Sequence, residues 1–115
     1  MTEVVIEEHE SYVQVTFEGG IADSVSWDKA YNHLNSIYPN LIIQLINLKG
    51  VRKEFINSLE AAMEIVLSEG KSFIFVCKDS LITSLLDEDW TIVPTKQEAL
   101  DYLKMEEIER EMGLR

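Results

Sequence analysis

The run Leu41-Ile42-Ile43-Gln44-Leu45-Ile46 constrains this chain more than any other segment. It is nearly all apolar and carries no helix caps, which is how a strand covered on both faces reads. A second run of the same kind, Ser72-Phe73-Ile74-Phe75-Val76-Cys77, follows after a long helical segment. In that segment Phe55, Leu59, Ala62, Met63 and Val66 recur at helical spacing, and Gly70 is a natural stop. Two buried strands joined through a helix call for parallel pairing with a crossover, and so for helices layered on a sheet.

The remaining segments extend that pattern. Val4-Val5-Ile6 reads as an edge strand or one joined to its successor by a turn at Glu7–Ser11. Tyr12-Val13-Gln14-Val15-Thr16-Phe17 is β-rich and roughly alternating, and Gly19-Gly20 ends it. Ser24 or Ser26 can cap a helix whose inner face is Trp27, Ala30, Tyr31 and Leu34, closed by Pro39. Asp79 or Ser80 can cap a short helix carrying Leu81, Leu85 and Leu86, and Trp90-Thr91-Ile92-Val93 is a last strand. Thr95-Lys96-Gln97-Glu98 is a capping box opening a helix with Ala99, Leu100, Leu103 and Ile108 inward. The resulting order, β-β-α-β-α-β-α-β-α, is that of an α/β domain. It spans residues 1–104, followed by a charged helical extension or tail over 105–115.

Composition narrows the functional classes. The 115 residues, 46% of them hydrophobic, suffice for one packed core. A single cysteine, Cys77, excludes a disulfide framework within the chain and suits a reducing, cytoplasmic setting. The start MTEVVIEEHE lacks the basic and long apolar stretches of a signal peptide, and the apolar run Leu41–Leu48 is too short to span a bilayer. With 21 acidic against 10 basic residues, the formal charge of −11 disfavours nucleic acid and anionic membrane surfaces and suits a basic face on a protein partner.

No constellation for catalysis emerges. His9 and His33 stand far apart without metal-ligand spacing, and Asp87-Glu88-Asp89 lacks the alternating ligands and glycine turn of a calcium loop. Cys77 ends a buried-type strand, where it acts as a small hydrophobe. Trp27 and Trp90 read as core or rim packing. Gly19-Gly20 and Gly50 form no phosphate-binding loop, and two histidines build no nucleophilic triad. The expectation is a chain that is not an enzyme, has no cofactor and holds no metal.

From about Glu3 to Leu103 the order of elements resembles the STAS domain of bacterial anti-sigma-factor antagonists and of sulfate-transporter cytoplasmic tails. The resemblance rests on Phe17-Glu18-Gly19-Gly20-Ile21 after a strand, Ile42-Ile43-Gln44-Leu45, and the long helix ending Ser68-Glu69-Gly70-Lys71. Phe73-Ile74-Phe75-Val76, Trp90-Thr91-Ile92-Val93 and Pro94-Thr95-Lys96-Gln97-Glu98-Ala99-Leu100 complete it. It implies a mixed, mostly parallel sheet of about five strands with about four helices, mainly on one face.

In the family's antagonists a serine at the N-terminus of the long helix is phosphorylated by a partner kinase. Without gaps, that stretch falls on Arg52-Lys53-Glu54-Phe55, with Lys53 at the serine's place and Gln44 at the family's strand-end aspartate. A competing register places Ile56-Asn57-Ser58 there, making Ser58 a candidate phosphorylation site, but it starts the helix after Phe55, although Phe55 shares the apolar face of Leu59. The ungapped register is favoured, and in it the switch serine is absent. The resemblance thus implies a regulator that docks on a protein partner, an anti-sigma factor, kinase-like protein or another regulator. Its contacts would be Gly50, Arg52, Lys53, Glu54 and Ser58. Two alternatives are a module sensing a nucleotide or lipid, and a homo-oligomeric structural domain such as a homodimer.

Overall fold

The structure is a computed structural model, described here for residues 1–34 and 39–113. Its main sheet has the order β1-β2-β4-β6-β7, formed by Glu3–Glu8, Val13–Glu18, Leu41–Ile46, Phe73–Val76 and Ile92–Val93. β1 pairs antiparallel with β2 as a hairpin, and every other neighbour is parallel. The expected α/β class and five-stranded mixed sheet are therefore present.

Two elements were not expected from the sequence. β3 (Ile21–Ala22) and β5 (Gly50–Val51) pair in parallel as a separate two-stranded sheet. Each is only two residues long, too short for a periodic signal, and their partnership joins positions far apart in the chain.

Alternation along the strands sorts side chains to two faces. On one face Val15, Phe17, Ile43, Leu45 and Phe75 form a core with the buried stripes of α1 (Ser24–Leu34), α2 (Lys53–Ser68) and α3 (Ser80–Thr83). Phe55 is fully buried and meets Phe17 edge to face at 4.9 Å. On the other face Ile42, Ile74 and Val76 pack against Ala99 and Leu103 of α4 (Lys96–Glu111). The helices thus lie mainly on one face.

Helix ends follow local chemistry. α1 is capped by Asp23, not by Ser24 or Ser26: Ser26 N–H donates to Asp23 Oδ1 at 3.1 Å, and Asp23 N–H donates to Ser26 Oγ at 3.3 Å. α2 stops at Gly70, whose φ of +72° lets Lys71 N–H reach back to the Val66 carbonyl. Asp79 caps α3, its Oδ1 accepting from Leu81 N–H. In α4 Thr95 Oγ1 accepts from Glu98 N–H, one half of the capping box.

Two inward assignments are corrected. Tyr31, read onto the inner face of α1, is exposed; in the α3 region Ile82 and Leu86 fill the core while Leu81 and Leu85 face outward. Ile108 is also exposed, and Glu106 is buried in its stead. At 100° per residue, position 108 lies about 140° from Leu103, whereas 106 stays near its stripe. α4 continues without a break through residue 105, and Arg110 donates to Ser72 Oγ at 3.1 Å. The expected tail reaches Leu114 and Arg115, which lie outside the described residues.

Candidate functional site

The residues singled out from the sequence lie together at β5 and the first turns of α2. α2 begins at Lys53, with Arg52 as N-cap in extended conformation (φ −83°, ψ 152°). A guanidinium has donors only, so Arg52 offers no side-chain acceptor to the orphan N–H groups of the first turn. No side-chain capping bond forms there. A cation at this end also adds to the positive pole of the helix, which Glu54 in the same turn offsets in part.

The surrounding backbone is held in place. Lys49 N–H donates to the Gly20 carbonyl at 2.7 Å, and Arg52 N–H to the Ala22 carbonyl at 2.8 Å, on either side of the β3–β5 pairing. Gly20 has φ +63°, and a Cβ there would meet the Met1 backbone at 3.1 Å, so glycine is required by both conformation and space. Lys49, Arg52, Lys53 and Glu54 are exposed and Gly50 is half-buried. Three of the chain's ten basic residues therefore form one exposed collar.

Asp23 lies beside this collar. Hydrogen bonding from the Ser26 backbone, helped by the Ser26 hydroxyl, Val25 N–H and the charge of Arg52, holds its carboxyl below the usual carboxylate value. Its cap on α1 could not be read from the sequence, because Asp23, Ser24 and Ser26 compete for the same capping role.

Ser58 sits in the second turn of α2, away from the helix start. Its hydroxyl donates to the Glu54 carbonyl at 2.9 Å. It lines a shallow groove of about 350 Å³ between α1 and α2, together with Trp27, Tyr31 and Ile65. Lys53 lies five residues earlier, on a different side of the helix, so the two occupy separate surfaces of one element.

A crevice of about 560 Å³ opens at the carboxyl ends of β4, β6 and β7. Lys78, Lys96, Thr95 and Gln44 line it, beside the start of α4. Gln44 Oε1 accepts from Gln14 Nε2 at 3.0 Å and Thr16 Oγ1 at 3.3 Å, which ties its side chain to β2. Lys78 follows β6 and Lys96 opens α4, far apart in sequence, so nothing local marks them as neighbours.

Other sequence candidates fall elsewhere. Trp27 and Trp90 are buried in the core, Trp90 stacked on Phe75 at 4.8 Å. Cys77 is buried too. Among the described residues no group of three or more His, Cys, Asp or Glu could hold a metal, and no helix is long and apolar enough to cross a membrane.

No family model matches the sequence, and no curated protein does. The fold has a counterpart among solved structures: an uncharacterized protein of the DUF3478 family from Shewanella loihica PV-4, described as having a SpoIIAA-like fold. The likeness covers 89% of this chain and 93% of that one, at a TM-score of 0.52 and 13% sequence identity. With this sheet order, three helices on one face and one on the other, the chain has the SpoIIAA-like fold, the fold of the anti-sigma antagonists.

Proposed function

We propose that this chain is a non-catalytic interaction module that regulates a protein partner by docking through the collar at β5 and the start of α2. The observation that carries the reading is the uncapped, cationic start of α2: Arg52 as N-cap and Lys53 in the first turn, both exposed on a hydrogen-bonded loop. Gly50 lets the partner approach the backbone and Glu54 contributes a further contact, while Ser58 stands apart on another side of α2. An anti-sigma factor, a kinase-like protein or another cytoplasmic regulator with an acidic contact face suits this surface. The docking is constitutive or controlled otherwise than by serine phosphorylation, since lysine carries a permanent charge where a switch needs a hydroxyl.

The test is affinity capture from the native cytoplasm with the wild type and the Arg52→Glu/Lys53→Glu double variant. Specific partners are expected to be lost from the variant. Retention of every partner would remove the collar from consideration.

A second reading is favoured by the crevice beside α4. Its volume lies within the range of small-molecule sites, and its charged lining is Lys78 and Lys96 with one carboxylate, Asp79. In that case the module senses a nucleotide or an anionic lipid, and saturating ligand raises the melting temperature. A thermal-shift panel without any stabilisation would dismiss it. Strict monomers at high concentration in sedimentation would likewise dismiss a homodimer.

A further inference from the structure

The stripe Glu60, Met63, Glu64 and Leu67 recurs at i, i+3, i+4 and i+7 along α2, beside the core stripe but turned outward. It forms one wall of a groove of about 300 Å³. The loop after α3 forms the facing wall with Asp87, Asp89 and Trp90. Phe73 and Glu106 also line the groove.

Two properties coincide there. Leu67 is 53% exposed and Met63 half-buried, next to the packed ring of Trp90, so the groove has an apolar strip open to solvent. Glu60, Glu64, Asp87 and Asp89 are all exposed around that strip, and no lysine, arginine or histidine of the described residues lines the groove. Carboxylates on both walls of a concave surface with an apolar floor repel one another and focus a negative potential into it. They do not converge as a metal site, as no described group of three carboxylates can hold an ion. Such an arrangement complements cations spread along a chain better than one compact cation.

We infer that this groove is a second docking surface, and that its occupant is a basic segment of a partner protein with lysines or arginines flanking an apolar anchor. The anchor lies on Leu67 and Met63, and the flanking cations pair with Glu60 and Glu64 on one wall and Asp87 and Asp89 on the other. The surface lies on the later turns of α2, apart from the cationic collar at its start. One helix thus presents opposite charge at two positions, and the two surfaces can be tested separately.

The probe is a fluorescein-labelled synthetic peptide in which lysines and arginines flank a central leucine pair, titrated against the full chain by anisotropy. Two-dimensional amide spectra of the wild type should show shifts confined to Glu60–Leu67 and Asp87–Thr91. Glu60→Lys/Asp89→Lys should weaken binding by about tenfold or more. Glu3→Lys/Glu8→Lys on β1, which changes net charge by the same amount, should weaken it far less. Leu67→Ser should weaken it severalfold, and Arg52→Glu/Lys53→Glu should not weaken it. An equal loss from the β1 variant would mean that overall charge alone attracts the peptide, and would overturn the inference. So would amide shifts centred elsewhere, which are read without any substitution, or an unchanged affinity in Leu67→Ser.

Discussion

Asp23 and Ser26 grip one another across the first turn of α1, each backbone N–H donating to the other's side chain, at 3.1 and 3.3 Å. Asp23→Ala should lower the melting temperature, while Asp23→Asn, which keeps an acceptor oxygen, should retain most of the stability. The effect depends on pH in a defined direction. The folded-state pKa lies below the ordinary 3.8, chiefly because of the Ser26 backbone hydrogen bond. The stabilisation is therefore complete above 3.8 and is lost as pH falls below it through the folded-state value. Melting curves on either side of that window should converge for wild type and Asp23→Asn at the acid end.

Phe55 is the contact through which the start of α2 reaches the core. It is fully buried and meets Phe17 edge to face. Phe55→Ala should cost about 3–5 kcal/mol, read as a shift in the denaturant midpoint. Phe55→Leu should cost distinctly less.

Gly70 offers a backbone test free of packing effects. A Cβ there would meet nothing within 4 Å, yet φ is +72°. Gly70→Ala should cost about 1 kcal/mol in chemical denaturation, from conformation alone. Gly50→Ala, with no positive φ and only Ile21 Cγ1 at 4.0 Å, should cost less than about 0.5 kcal/mol.

Lys53 and Ser58 separate the two modes of control. If docking uses the collar without a phosphoswitch, Lys53→Glu weakens partner binding by about tenfold or more. Ser58→Asp, in the α1–α2 groove, should change it by less than about threefold. Calorimetry with the captured partner would compare the two variants, and the reverse ranking would restore Ser58 as the switch.

The sequence carried the main sheet and the long helices because each is defined by its own residues. Leu41–Ile46, interrupted only by Gln44, and Phe73–Val76 read as apolar runs covered on both faces, and α2 displays its core stripe over four turns. β3 and β5 escaped because they exist only through the pairing of Ile21 with Gly50. Placing Ile108 on the inner face of α4 followed from hydrophobicity alone, without the angular position that separates it from Glu106. The collar was legible since its members are contiguous. The crevice with Lys78 and Lys96 was not, since β6 and α4 bring them together only once folded.

Among the described residues α4 is the sole helix over its face of the sheet, resting on a small cluster around Ile42, Ile74 and Val76. Its release leaves the larger core intact, so α4 can open as a sub-global unit below the free energy of full unfolding. Amide protons on α4 then exchange with solvent ahead of those on β4. A protease that waits for that opening cuts the chain first near its C-terminal end.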